Sequence, residues 1–361
     1  MKKIDYKLFI SVIILAIFGS IMIYSSSNVW ALYKFDDAFK YFKNQFIFLI
    51  IGSIIMYLFS KLNYSFYKKK SNLILLGCFI LLVLVLIPGI GVVRNGSRSW
   101  FGVGGFGIQP SEAAKIGLVI FVSKYLSNNY SIMFDIKKGV LPIMVVIMVF
   151  FVLIMLEPDF GTAIVITMSL VAMIFISKVK LSFFIKIGVV GLLGIVGLII
   201  VAPYRMARIV SFLNPWSDPL GSGFQIIQSL YAIGPGGLFG MGLGNSIQKH
   251  FYLPEPQTDF IFSIISEELG FLGVLIVSSI FLFIFYRCIK ISLTTKDLFG
   301  KYLSFGLSFS IIFQTILNLC VFIGLVPVTG VTLPFLSYGG SSLLVSMASI
   351  GIILNVSRIN D

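Results

Sequence analysis

The chain has 361 residues, of which 58% are apolar, 36 are Phe and only 11% are charged, with a mean hydropathy of +1.03. These values exclude an ordinary soluble domain and point to a chain that crosses a membrane many times. The net charge of +13 does not indicate a nucleic-acid binder, because topology accounts for most of it.

A bilayer core of about 30 Å needs roughly 20 apolar residues per helix. Apolar runs recur near residues 8–24, 45–60, 72–87, 111–126, 139–156, 161–177, 182–202, 260–286, 302–325 and 336–356. The expected fold is therefore an all-α polytopic membrane protein of about ten transmembrane helices, read as a single membrane domain over 1–361. The first run follows M-K-K-I-D-Y-K, which resembles the positive end of a signal peptide. No small-residue cleavage site follows it, so it is read as the first span. With the N- and C-termini in the cytoplasm, most of the 27 Lys and Arg residues fall in the inner loops, as the positive-inside rule requires. Cys78, Cys288 and Cys320 lie within or at the ends of apolar runs and suggest neither a disulfide framework nor a metal site.

The inner loops are short and merely basic. Two outer segments, 88–110 and 203–259, are long and rich in Gly, Pro, Trp, Asn, Gln and Arg, and long loops on a rigid scaffold are where function is usually presented. The first outer segment reads as a glycine-rich re-entrant loop with Trp100 at the membrane interface. It ends at Pro110-Ser111-Glu112, a helix start, after which Glu112 and Lys115 share one helical face just inside the membrane. An ionisable pair there is costly unless it lines a polar cavity. Between the fifth and sixth spans, E-P-D-F-G-T reads as a tight turn in which Asp159 caps the next helix; Glu157 and Asp159 also fit a shared site.

The large outer loop lies between spans 7 and 8. Its residues 222–233 carry apolar side chains at helical spacing beside Gln225, Gln228 and Ser229, as expected of a helix on the membrane surface or packed over the bundle. His250 is the chain's single histidine, which excludes a multi-His metal site. The loop ends in Y-L-P-E-P-Q-T-D, and a helix starting near Asp259 places Asp259, Ser263, Ser266 and Gly270 on one polar stripe facing the bundle. Asp259 sits at the rim, either as a helix cap with Thr258 beside it or as a reacting group. Glu267 and Glu268 lie two turns deeper and read as a buried structural pair satisfied by neighbouring helices. The last outer segment holds Pro327, Pro334 and G-G-S-S. It suits either close helix packing or a Pro-broken helix beside a polar cavity.

Taken together, N-G-S-R-S-W, Q-P-S-E-x-x-K, E-P-D-F-G-T, N-P-W-x-D-P-L-G-S-G-F-Q-I-I-Q-S, Y-L-P-E-P-Q-T-D-F-I-F-S-x-x-x-E-E-L-G and P-V-T-G-V-T-L-P-F-L-S-Y-G-G-S-S strongly resemble the SEDS family (shape, elongation, division and sporulation). The match runs along nearly the whole chain and is most like the FtsW and SpoVE branch. The resemblance implies a glycosyltransferase that polymerises lipid II into peptidoglycan strands on the outer face of the bacterial cytoplasmic membrane. A class B penicillin-binding protein would be its transpeptidase partner, alongside other divisome, elongasome or sporulation proteins. It maps the family's catalytic carboxylate onto Asp259, with Glu255 in the same motif, and cavity residues onto Trp100, Glu112, Lys115 and Asp159. Two departures are Ser99, where some relatives carry a second Arg and which leaves Arg98 alone there, and Pro235, where many have Ser.

Inverting attack on an α-linked sugar pyrophosphate needs a base at the acceptor 4-hydroxyl and positive charge at the leaving group. Arg94, Arg98, Lys115, Arg205, Arg208 and Lys249 offer that charge. A divalent cation, Mg or Mn, held by Asp159, Glu255 or Asp259 is a second source; no organic cofactor is expected. A lipid II flippase and a non-catalytic scaffold for the penicillin-binding protein are the alternative readings.

Overall fold

The computed structural model describes residues 4–94, 96–103, 106–201, 206, 210–221 and 223–359. Its bundle helices are α1 (Tyr6–Phe35), α2 (Lys40–Lys61), α3 (Ser65–Leu86), α4 (Pro110–Asn128), α5 (Leu141–Leu156), α6 (Phe160–Phe175) and α7 (Leu181–Val201), then α9 (Ile261–Thr294), α10 (Leu298–Phe322) and α11 (Gly340–Ile359). The loop between α7 and α9 carries the helix α8 (Phe224–Gly236). The chain is a polytopic helical membrane protein. Among the described residues seven helical stretches are long and apolar enough to span a bilayer. Of the other bundle helices, α6 and the described part of α7 are apolar but shorter, and α4 carries Glu112, Lys115 and Lys124.

Local chemistry sets the ends. Asp5, Asp159 and Asp297 each accept a backbone N–H in the first turn of α1, α6 and α10, which satisfies donors that helix starts leave orphaned. Pro110 opens α4 at a position where its missing N–H costs nothing. The main packing joins α11 to α2, α3 to α4, α10 to α4, α6 and α9, and α1 to α2 and α9. Arg287 near the end of α9 pairs with Asp5 at 2.5 Å and aligns the two helices at the end of the bundle opposite the long loops.

The first long loop is not re-entrant. It folds into a three-stranded antiparallel sheet, β1 (Val92–Arg94), β2 (Ser97–Val103) and β3 (Phe106–Ile108). Arg94 pairs with Ser97 and Val103 with Phe106, so two residues separate the strands at each turn. Those residues are Asn-Gly and Gly-Gly, the dipeptides that two-residue hairpins prefer.

The segment that does re-enter is 324–339, between α10 and α11. It is non-helical and mostly buried from Val331 to Ser337. Its Phe335 and Leu336 press on Gly19 of α1, where a Cβ would lie 2.5 Å from the Phe335 carbonyl oxygen. Gly19 is 13 residues above the start of α1, or roughly 20 Å at 1.5 Å per residue, so the segment dips to the middle of the bundle. Non-helical backbone is tolerated at that depth only inside protein or along a cavity. Here Gln45, Gln314 and Asn318 bond its backbone.

Helix α9 is two helices joined at Gly270, whose φ of 63° and ψ of −163° are non-helical. A Cβ there would meet the Gly240 amide nitrogen at 2.3 Å, so glycine is required both by conformation and by space.

Candidate functional site

The re-entrant segment is the hub on which the expected site residues converge. Asn318 of α10 donates to the carbonyls of both Asp259 (2.9 Å) and Val331 (2.8 Å). One turn away Gln314 donates to the Thr332 carbonyl at 2.9 Å and accepts from the Lys115 ammonium at 2.7 Å. Lys115 in turn holds Glu112 at 2.6 Å, both side chains being only 7% exposed. On the far side Gly161 packs on Thr329 and Val331, with room for no Cβ. Asp159, the cap of that helix, accepts from Gln109 at 2.7 Å and from the Thr162 amide at 3.1 Å. Asp259, Glu112, Lys115 and Asp159 are thus tied to one loop, 329–332.

Asp259 is half-buried and lies two residues before α9, which begins at Ile261 with Phe260 at the N-cap position. Thr258 spends its hydroxyl on the Glu255 carbonyl at 2.8 Å. Ser337 and Tyr338 of the re-entrant segment bond the carbonyls of Thr258 and Gln257, so the turn that carries Asp259 is held by that segment. A Cβ on Gly330 would lie 3.9 Å from an Asp259 carboxylate oxygen. Glu255 is exposed, with a φ of 46°.

Glu157, in the turn before α6, is fully buried and neither carboxyl oxygen has a hydrogen-bond partner. Burial, with the Asp159 carboxylate adding to it, pushes its pKa up to about 9, so the group is a neutral acid at pH 7. Burial raises Asp159 as well, opposed by the Thr162 bonds. The β-sheet closes over this turn, Ser97 donating to the Glu157 carbonyl and Ser341 to that of Gly107. Trp100 and Arg98 lie half-buried on β2, and the Arg94 guanidinium sits 5.2 Å from the Trp100 ring centroid.

Several expectations change. The stripe of Ser263 and Ser266 is buried, and what covers it at Ser263 is α8, whose Ser229 hydroxyl lies 2.8 Å from that of Ser263, while Gly236 packs on the Ser266 carbonyl. Glu267 and Glu268 are fully buried as expected, yet most of their partners come from loop 241–249 rather than from helices. Glu267 accepts from Ser246, Ile247 and Gln248, and Glu268 from Ser25, Ser246 and Lys249. Lys249 therefore leaves the set of leaving-group cations: it is 3% exposed and bound to Glu268 at 3.3 Å. Arg205 and Arg208 lie outside the described residues. Among the described residues no three His, Cys, Asp or Glu side chains converge as a metal cage. A divalent cation here would have to be held by one or two of Asp159, Glu255 and Asp259 together with substrate phosphates, as Mg²⁺ usually is.

The FtsW/RodA/SpoVE model, described as a cell cycle protein, matches residues 6–361. The chain belongs to the FtsW/RodA/SpoVE family. It is 51% identical over 354 residues to stage V sporulation protein E of Bacillus subtilis, covering 98% of this chain and 97% of that one. It is 41% identical to a probable peptidoglycan glycosyltransferase FtsW of Geobacter sp. (strain M18), covering 96% and 94%. Among solved structures, a chain of a peptidoglycan synthase complex described as coordinating polymerization and crosslinking superposes with a TM-score of 0.79 at 29% identity. The rod shape determining protein RodA of Thermus thermophilus superposes at 0.74 and 25%. Each of these two pairs is covered to 99% on both chains. Gln109, Gln314 and Asn318 of this FtsW/RodA/SpoVE chain are the site residues that the motif reading missed. Their signal was present, since Gln314 and Asn318 are amides four residues apart in an apolar span, and such residues mark function or buried polar contacts.

Proposed function

We propose that this FtsW/RodA/SpoVE chain is a peptidoglycan glycosyltransferase that polymerises lipid II on the outer face of the bacterial cytoplasmic membrane. In this reading both termini are cytoplasmic and a class B penicillin-binding protein cross-links the product. The observation that carries it is the fixing of Asp259, Glu112, Lys115 and Asp159 around loop 329–332 at the end of the bundle that bears the long loops.

Asp259 is the general base. Its backbone is held by Asn318 while its carboxylate lies near Gly330. Removing the proton of the acceptor 4-hydroxyl lets that oxygen attack C1 of the donor as the C1–O bond to pyrophosphate breaks, inverting C1 from α to β. Charge then builds on the departing undecaprenyl pyrophosphate. Arg98, with Arg94 beside Trp100, is placed on the overlying sheet to meet it, and a guanidinium grips phosphate in two places. Lys115 is already paired with Glu112 and Gln314; it fixes loop 329–332 and adds positive potential from below. The substrate's tail would run between apolar helix faces.

The flippase reading rests on ten spans, the buried Glu267 and Glu268 and a broken helix near Pro334; of these, the carboxylate pair has loop partners that account for its burial. The decisive test is lipid II polymerisation by purified protein with its transpeptidase. Asp259→Asn should abolish polymer while leaving the thermal midpoint and partner binding unchanged. Polymer made by that variant at the wild-type rate would rule Asp259 out as base.

A further inference from the structure

One feature of the loop face has no part in the chemistry above. Phe251, from the large loop, is 51% exposed and sits at a φ of 65°, in the left-handed region that a non-glycine residue rarely adopts. The strain turns its ring onto the end of α1, where it meets Trp30 edge-on at 5.4 Å and Tyr33 at 5.5 Å. Tyr33 is 78% exposed, and the Lys34 ammonium lies 6.0 Å from the Trp30 ring. The rings do not stop there. Tyr41 bonds Trp30 and packs edge-on against Tyr338 at 4.9 Å, with the Glu255 carboxylate near enough to act on it electrostatically. Tyr338 donates its backbone N–H to Gln257, two residues before Asp259, and its hydroxyl accepts from Asn44. An aromatic band with polar groups set into it thus runs from the outer end of α1 to the turn that holds the base.

An ordinary interfacial belt places single Trp and Tyr rings at the headgroups, each on its own helix. This band differs in three respects. It is assembled from the α1 end, the α2 start, the large loop and the re-entrant segment; it uses a strained backbone to bring in Phe251; and it includes the exposed carboxylate Glu255, which anionic headgroups repel. Its chemistry suits a chain of pyranoses. The C–H faces of β-linked sugars are apolar and electropositive and stack on aromatic rings, while their hydroxyl and N-acetyl groups seek carboxylate, amide and ammonium partners.

We infer that Trp30, Tyr33, Phe251 and Tyr41, with Glu255 and Asn44, form a subsite for the β1,4-linked N-acetylhexosamine strand, holding the saccharide next to Asp259 between additions. This rests on the glycosyltransferase reading and extends it from single transfer to retention of the strand.

The test uses chitohexaose, a soluble β1,4-linked N-acetylglucosamine oligomer without lipid or pyrophosphate, titrated into the full chain in nanodiscs by calorimetry. Saturable binding is expected, weakened at least tenfold by Trp30→Ala with Phe251→Ala and kept within about threefold by Phe251→Tyr. Tyr33→Ala, at a site too exposed to unsettle the fold, should also weaken it severalfold. In the polymerisation assay the alanine variants should shorten the strands more than they slow lipid II consumption. No binding to the wild type, or equal binding to all variants, overturns the subsite, as does slower consumption with unchanged strand length. Polymerisation of lipid II without oligosaccharide binding sinks this proposal alone, and binding without polymerisation sinks only the glycosyltransferase reading.

Discussion

The buried Lys249–Glu268 pair gives a quantitative prediction. The two side chains are 2% and 0% exposed and 3.3 Å apart. Glu268 also accepts from Ser25 at 2.6 Å and the Ser246 amide at 3.3 Å, and Lys249 also donates to the Gly244 carbonyl. Lys249→Met leaves a buried carboxylate with two donors and no counter-charge, and losing one partner of such a pair costs about 3–5 kcal/mol. Glu268→Gln keeps an acceptor for Ser25 but leaves the buried ammonium without a counter-charge, and losing this partner likewise costs about 3–5 kcal/mol. The double variant holds neither charge, so it should recover roughly 2 kcal/mol of the summed single losses, within the range measured for contacting residues. SDS titration of the purified chain in mixed micelles, followed by tryptophan fluorescence, measures all four corners of the cycle. Because loop 241–249 leads to Asp259, the single variants should also lose polymerisation, and the double should regain part of it. Additive losses would refute the reasoning, since they would mean the two charges do not stabilise each other.

Glu157 predicts a pH dependence. Its folded pKa of about 9 lies above the ordinary 4.5, so between those values the native state holds a proton that the unfolded chain has released. Stability from this group is full below about pH 4.5 and falls as pH rises towards 9, by at most about 1.4 kcal/mol per pH unit; Glu157→Gln should flatten that slope in denaturation series from pH 5 to 9. Gly240→Ala and Gly270→Ala would each force a Cβ to within 2.1–2.3 Å of backbone at a positive φ, and each should lower stability by more than about 2 kcal/mol; a tolerated alanine at either position would contradict the packing of 237–242 on 267–272. Lys115→Met leaves Glu112 buried and unpaired and frees Gln314, so it should cost about 3–5 kcal/mol and at least tenfold in polymerisation; Lys115→Arg should rescue only part of this, because the fork is longer than the 2.6 Å pair allows.

Much of this molecule was legible in the linear chain. Helices and their apolar periodicity are local properties, so the helical bundle, the Asp159 cap and the Glu112–Lys115 pair at one helical spacing could be read from the sequence. The motifs carried the family, and with it Asp259. What could not be read depended on contacts between residues far apart in the chain. The Asn-Gly and Gly-Gly dipeptides were written in the first loop, but a glycine-rich run between apolar spans fits a re-entrant segment equally well until strands pair. The polar stripe of Ser263 and Ser266 showed which side of α9 is buried, not that α8 covers it. Lys249 looked like a free outer cation because charge in a loop is normally solvated; only the fold brought Glu268, 19 residues on, within 3.3 Å of it. The same holds for the hub of the site. Periodicity assigns each residue a face, but only tertiary packing brought Gln314, Asn318, Gly161 and Asp259 around the one segment, 329–332, because its backbone groups, buried without a helix of their own, had to find partners in other helices.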